Sequence, residues 1–281
     1  LIIRLDGTFT KAEANEIQDK MIIEANSAEK FYTDPVNKES FEKVENELKR
    51  YSEKLEQSNK ALQEFAYAAS HDLQEPLRMV TSYLQLIENR YKDQLDQSAK
   101  EFISFAVDGA KRMSMLIQSL LYYSRVNTQA NPFQTTDCNK IVNTVLTDLS
   151  HSIKEHHADI KIKELPNITA DNIQMQQLFQ NLIGNAIKYN KAAVPTVEIN
   201  AQENGDYWNF SVIDNGIGIE TQYIDKVFGV FKRLHTRHEY EGTGIGLAIC
   251  QRIVERHGGK IWAESAVGQG TTFYFTIKKE L

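Results

Sequence analysis

Asn181-Leu182-Ile183-Gly184-Asn185-Ala186-Ile187-Lys188-Tyr189 reads as an apolar helix carrying polar amides that need a reason. Asn181 and Asn185 are spaced i, i+4 and share one face, and Lys188 lies one turn beyond Asn185. Asn oxygens are hard ligands that suit Mg2+, and a lysine offsets phosphate charge. A solvated stripe on a surface helix accounts for the same residues equally well, so the decision rests on residues further along the chain. An alternating strand over 208–213 runs into Asp214-Asn215-Gly216-Ile217-Gly218-Ile219. An Asp at a strand end accepts a hydrogen bond from an exocyclic amine such as that of adenine. Gly216 and Gly218 permit a tight turn and close backbone approach to a ligand. Beyond them, Gly242-Thr243-Gly244-Ile245-Gly246-Leu247 opens a helix, where backbone N–H groups bind phosphate. Each motif alone is weak: any exposed turn can carry DxGxG, and this GxGxG lacks both the GK[ST] ending of a P-loop and the βαβ setting of a dinucleotide site. Their succession in this order points to a nucleotide site.

The surrounding pattern alternates strands and helices. The spacing predicts a helix over 139–155, a strand over 160–164, and a helix over 171–189 with Asp171 as its cap. Strands over 197–201 and 208–213 come next, then a helix over 244–257 stopped by Gly258-Gly259, then strands over 260–264 and 271–278. This order predicts an α+β sandwich of one sheet covered by helices. Residues 220–241 join the two glycine turns and carry Phe228, Phe231 and the basic Lys232, Arg233 and Arg237. A connection of that length reads as a lid closing on the nucleotide, with a base able to touch phosphates, or as a surface loop with ordinary charges.

Upstream the period changes. Phe41, Val44, Leu48, Tyr51, Leu55, Ser58, Leu62 and Phe65 alternate steps of three and four, a heptad seam with one polar position. The seam continues through Ala68-Ala69 to His71 and on to Tyr83, Leu84 and Ile87. Residues 91–97 are polar and can turn. A second amphipathic helix then presents Phe102, Phe105, Ala106, Gly109, Met113, Leu116, Leu120 and Tyr123. One antiparallel hairpin cannot bury both stripes, so a homodimer forming a four-helix bundle through the hairpin is expected. The expected organisation is therefore multi-domain: an all-α helical-hairpin dimerisation domain over 37–127, a linker over 128–136 and the α+β sandwich over 137–281. Residues 1–36 stay unassigned. A strand over 1–10 and near-helical spacing over 11–30 are their only signals, and a remnant of a sensory module is one reading.

Among seven histidines, His71 stands apart by context. His156-His157 are adjacent, do not face one another, and read as a solvated helix end. His71 sits in Ser70-His71-Asp72-Leu73-Gln74-Glu75-Pro76-Leu77-Arg78. Pro76 removes a helix hydrogen bond and crowds the Asp72 carbonyl, at ~3 kcal/mol or more, so a bend beside the histidine is expected. Neutral imidazole, with a pKa of ~6.5, is a competent nucleophile near neutral pH. Asp72 is the candidate to hold one ring N–H and aim the other nitrogen at a γ-phosphate. Transfer then mostly requires in-line positioning and charge neutralisation by Mg2+.

Composition fits this outline. A chain of 281 residues suggests about two domains. A net charge of −6 argues against a broad nucleic-acid face. Cys138 and Cys250 form no CxxC, which argues against a zinc or disulfide framework and fits reduced thiols in the cytoplasm. No apolar run approaches the ~18 residues of a membrane span. The chain starts at Leu1 without Met, which suggests a fragment, and any membrane contact would belong to a part outside this sequence.

Residues 137–281 resemble the ATP-binding domain shared by histidine kinases, heat-shock chaperone ATPases, gyrases and mismatch-repair ATPases. Residues 181–189 resemble the N box, 214–218 the first glycine box and 242–247 the second. Phe228-Gly229-Val230-Phe231 resembles the F box and Gly270-Thr271-Thr272-Phe273 the last strand motif. The resemblance implies ATP with Mg2+, Asn185 as principal metal ligand and Asn181 supporting. It implies that Lys188 and Tyr189 contact the phosphates and nucleotide, and that Asp214 reads the adenine amine, helped by Thr271. Asn190 stands where Thr is commoner, with little consequence expected. The stretch around His71 resembles the histidine box of the dimerisation and phosphotransfer domain, in the HDLQEPLR wording of phytochrome-like bacterial kinases. That implies His71 as the phosphorylated residue, Asp72 as its activating acid and Pro76 as a hinge. Glu75 occupies a position where many members carry the Thr or Asn that supports phosphatase activity, which puts that activity in doubt. With no receiver domain recognisable, the phosphoryl group would pass to an aspartate of a separate response regulator. The competing readings are another ATPase of the superfamily and a signalling scaffold without kinase activity.

Overall fold

The computed structural model describes residues 35–128, 130–234, 239–240 and 242–280, with the side chains of 35–41, 55–56, 59–67, 69 and 71 outside the description. The strand and helix expected over 1–30 lie outside the described residues, as does Arg237. The chain divides into two compact units between Leu62 and Gln63. As far as described, the first unit is the start of one long helix, α1, Pro35–Arg90. Proline suits a first helical position, where its missing N–H has no partner to lose. The seam residues Val44, Leu48 and Tyr51 are exposed, as a heptad stripe is without a second helix.

In the second unit, α1 runs unbroken through Pro76 to Arg90. A turn over 91–95 leads on, and Asp96 caps α2, Gln97–Arg125, by accepting from Ala99 N at 2.7 Å. The hairpin is as expected. Ile103, Val107 and Ala110 are buried, whereas Phe102 and Phe105 are each 69% exposed. The helix therefore has two apolar faces, one buried and one open. The large aromatics dominate the sequence pattern and conceal the smaller residues that pack first.

The linker and the first helix beyond it differ from expectation. Gln134–Asp137 is a strand, β1, paired antiparallel with β3, Asn167–Ala170. Gln-Thr-Thr-Asp offers no apolar alternation, so only its partner reveals it. Asp137 ends β1 and caps α3, Cys138–Asp148, by accepting from Asn139 N and Lys140 N. The single helix expected over 139–155 is two, α3 and α4, Ser150–Glu155, parted at Leu149. No Gly or Pro marks the break, and the parting brings Leu149 and Ile153 against the core.

The main sheet comprises β2, Asp159–Ile162; β4, Thr196–Asn204; β5, Tyr207–Asp214; β6, Ile261–Ala266; and β7, Gly270–Lys278. Its order is β2-β4-β5-β7-β6, with β2 parallel to β4 and the other pairs antiparallel. One face packs on α3, on α5, Asn172–Lys188, and on α6, Gly246–Arg256. Alternation puts Val197, Ile199, Phe210, Val212, Phe273, Phe275 and Ile277 on that buried face. At the centre Phe275 stacks on Phe210 with centroids 4.8 Å apart, and Phe179 of α5 meets Phe275 edge-on at 5.7 Å. The α+β sandwich following a helical hairpin is thus the architecture observed.

A polar clasp fixes the helices that carry the site. Asp171, the cap of α5, accepts from Ile173 N, Gln174 N and Asn131 N, and pairs with Arg256 at 3.4 Å. Arg256 also donates to Gln174 Oε1 and Asn131 O, and Gln174 Nε2 reaches Val126 O at 2.6 Å. Fully buried His257 accepts from Asp171 N through Nε2, so its proton sits on Nδ1 facing Ile253 O. Burial holds its pKa below the usual histidine range.

Candidate functional site

Five chain segments meet at one cavity of about 250 Å3: the C-terminal half of α5, the turn after β5, the connection over 220–241, the turn before α6 and the start of β7. Asn181, Asn185, Lys188 and Tyr189 line it from α5, and Asp214 and Gly218 from the first glycine turn. Gly242, Thr243, Gly244, Gly246 and Leu247 line it from the second, Lys232 and Arg233 from the connection over 220–241, and Thr271 from β7. Of the nucleotide-binding residues read from the sequence, Gly216 alone does not line the cavity. It acts behind the wall: a Cβ there would collide with the Tyr189 carbonyl oxygen, which already accepts from Ile217 N at 3.0 Å. The first glycine turn is thereby locked to the end of α5. Gly218 has φ +71°, and a side chain would run into the Ala266 carbonyl of the β6–β7 turn.

Asp214 accepts from Gly216 N at 2.8 Å and from Thr271 N at 3.0 Å. Both bonds fall on Oδ1, so Oδ2 is the oxygen left to meet a ligand amine. Burial pushes the Asp214 carboxyl up to about 6, against the pull of those two bonds. Asn181 braces the second glycine turn, its Nδ2 3.4 Å from Gly246 O. Asn185 lines the cavity one turn further along α5. Among the described residues no group of His, Cys, Asp or Glu could hold a metal ion. A metal in the cavity would therefore rest on amide oxygens and its ligand, which suits Mg2+.

Lys188 Nζ lies 3.3 Å from Tyr189 Oη and 4.7 Å above its ring, beside the space that Gly242 leaves without a side chain. Burial raises the Tyr189 phenol above its ordinary pKa, and its ring meets that of Tyr240 at 4.9 Å. Arg233 donates to Gly242 O at 2.7 Å and to Tyr240 O at 2.6 Å. It ties its own segment to the second glycine turn, a role the sequence did not suggest.

The sequence reading missed the apolar walls and the hydroxyl behind them. Ile217, Ile219, Val227, Leu234 and Phe273 line the cavity, with Phe228 edge-on to Phe273 at 6.3 Å. Ile217 and Ile219 alternate with the glycines, a signal that was there to be read. Ser265 carries no such signal, yet its hydroxyl lies within 2.9 Å of three partners on two segments. Asn190, standing where Thr is commoner, donates to Asn215 Oδ1, and Asn215 also bonds Thr196 N and Val194 O, closing the loop after α5. His71 lies on α1 with its side chain outside the description, and Asp72 beside it is exposed. Among the described residues no helix is long and apolar enough to cross a membrane.

Comparison with known proteins matches two families along the chain. Residues 61–129, which include His71, match the His Kinase A (phospho-acceptor) domain. Residues 170–281 match the family described as histidine kinase-, DNA gyrase B-, and HSP90-like ATPase. The chain is 53% identical over 231 residues to cyanobacterial phytochrome A of Nostoc sp., covering 82% of this chain and 30% of that protein. It is 48% identical to phytochrome-like protein Cph1 of Synechocystis sp., covering 82% of this chain and 31% of that protein. The chain thus spans about a third of the length of these curated relatives. Among solved structures, full-length ShkA in complex with AMPPNP superposes with a TM-score of 0.60 at 25% identity, covering 76% of this chain and 45% of that one.

Proposed function

This chain belongs to the histidine kinases, and from that premise we propose that it binds Mg-ATP in the cavity beside Asp214 and phosphorylates its own His71. One observation carries the reading of the site: a half-buried carboxylate with one oxygen held by backbone and the other left for an amine, set between an Asn-bearing helix face and a glycine turn. The AMPPNP held by ShkA supports placing an adenine nucleotide in this fold.

In this mechanism Asp214 accepts from the adenine amine, and the apolar walls at Ile219 and Phe273 flank the base. Thr243 and Gly244, just before α6, offer backbone N–H groups to the phosphates, and Lys188 offsets their charge. Asn185, supported by Asn181, would hold a magnesium ion, which would draw charge from the phosphate oxygens. Tyr189 flanks the nucleotide, and Lys232 and Arg233 close the lid over it. The free nitrogen of the neutral His71 imidazole attacks the γ-phosphorus while Asp72 holds the opposite ring N–H. A P–N bond forms, the bond to the bridging oxygen breaks and ADP leaves. The P–N bond breaks in turn as an aspartate of a response regulator receiver domain takes the phosphoryl group. The open α2 face with Phe102 and Phe105 is where a second copy completes a four-helix bundle. The kinase acts in the cytoplasm, and Glu75 stands where many members carry the Thr or Asn that supports phosphatase activity.

Radiolabelled ATP tests this directly. The expected label on the protein is acid-labile and base-stable, and it disappears in His71→Ala. ATP turnover with no label on the protein would support a superfamily ATPase instead. No nucleotide binding at all would leave a dimeric scaffold.

A further inference from the structure

The Ser265 hydroxyl is a three-way junction. It lies 2.8 Å from Ile219 N, 2.9 Å from Gly270 O and 2.8 Å from Thr271 Oγ1. A serine hydroxyl has one proton to give and two lone pairs to receive with. Ile219 N–H can only donate, so it takes one lone pair. The Gly270 carbonyl can only accept, so it takes the proton. The contact with Thr271 then has one possible direction: Thr271 donates and Ser265 accepts. Any other assignment leaves two acceptors facing each other at hydrogen-bond distance, inside a half-buried turn where that costs most.

This direction has a consequence in the cavity. Thr271 is 6% exposed, and it lines the cavity next to Asp214, to which its own backbone N–H donates. With its hydroxyl proton committed to Ser265, Thr271 can show a ligand only lone pairs. Ionised Asp214 likewise shows only lone pairs. The base end of the cavity is therefore built of acceptors, which match an exocyclic –NH2 and repel a ring carbonyl at the same place.

We propose that Ser265, which does not line the cavity, is a specificity-determining positioning residue that fixes the polarity of Thr271 and so selects an amino purine over an oxo purine. The proposal rests on the adenine-reading role of Asp214 given above. A site that hydrogen-bonds one substrate group rejects the analogue lacking it because its own polar groups are then left unpaired. In Ser265→Ala, Thr271 regains a rotatable proton and can turn it toward a carbonyl.

The test compares ATP with inosine triphosphate, which differs in carrying an oxo group for the amine. Affinity for each is measured by calorimetry on the full chain with Mg2+. The wild-type chain is expected to prefer ATP, and Ser265→Ala to lower the ATP-to-ITP affinity ratio by about tenfold. Ser265→Thr keeps the hydroxyl and should keep the ratio. In a Thr271→Val background, Ser265→Ala should change the ratio no further. Equal weakening of both nucleotides, with the ratio unchanged, would mean that Ser265 merely supports the turn and would overturn the proposal. An additional drop in the Thr271→Val background would overturn it too. If Ser265→Ala does not fold, Ser265→Cys keeps the volume while weakening the hydrogen bonds, and its ratio must fall for the proposal to stand. A wild-type chain that binds neither nucleotide would refute the reading of the cavity itself, a result distinct from either failure above.

Discussion

Lowering the pH should weaken ATP binding through Asp214, and its surroundings set the size of the effect. Burial pushes this carboxyl up to about 6, even though Gly216 N and Thr271 N both donate to Oδ1. Only the ionised form can accept from the adenine amine, because a protonated Oδ2 would place a donor against a donor. With a pKa near 6, the ionised fraction falls from about nine-tenths at pH 7 to about one-tenth at pH 5, a roughly tenfold loss of affinity. The γ-phosphate also titrates in this window, so the ATP-to-ITP affinity ratio is the quantity to track, since that protonation is common to both nucleotides. The ratio should fall about tenfold from pH 7 to pH 5. Asp214→Asn retains a carbonyl for the two backbone donors but turns an amide N–H toward the amine. Its ratio should be low and flat with pH, with ATP bound about 10- to 100-fold more weakly. A wild-type ratio that stays constant between pH 7 and pH 5 would refute the reasoning. The stability of the nucleotide-free chain should move the other way. The folded pKa lies above the ordinary value of 3.8, so the contribution of Asp214 is fully present below about 3.8 and is lost as pH rises through about 6. That contribution is at most about 3 kcal/mol, and solvent reaching the cavity reduces it.

Other expected outcomes are simpler to read. Asn185→Ala should abolish autophosphorylation while the dimer persists by sedimentation; loss of the dimer would assign that residue to the fold. Phe275→Ala removes a fully buried ring stacked on Phe210 and should cost about 3–5 kcal/mol in urea denaturation. Arg256→Met leaves the buried Asp171 carboxylate without its ion pair and should cost about 3 kcal/mol by the same measurement. Phe102→Glu with Phe105→Glu should yield a folded monomer by light scattering, since both side chains are exposed in the single chain.

Much of the site was legible because its parts are local. Gly218 answers to the shape of its own turn, Asn181 and Asn185 share a face by helical period alone, and Asp214 announces itself at a strand end. Each of these survives reading without knowing what lies opposite. The strands over β4, β5 and β7 were legible for the same reason, since alternation is a property of the segment.

What stayed hidden depends on partners far along the chain. Strand β1 exists because β3 pairs with it, and its own residues carry no apolar period. That Ile103, Val107 and Ala110 of α2 are buried while Phe102 and Phe105 stay exposed in the single chain depends on packing that no segment shows by itself. Arg233 stands out in the sequence by its charge alone, and folding also sets its guanidinium on the carbonyls of Tyr240 and Gly242. Ser265 is an ordinary strand serine until folding brings Ile219, 46 residues away, to its oxygen. The sequence by itself determined which residues could bind a nucleotide, because backbone freedom and side-chain chemistry belong to each residue. Only the tertiary structure decided how the hydrogen bonds between them are directed, because a proton's direction is set by every neighbour that competes for it.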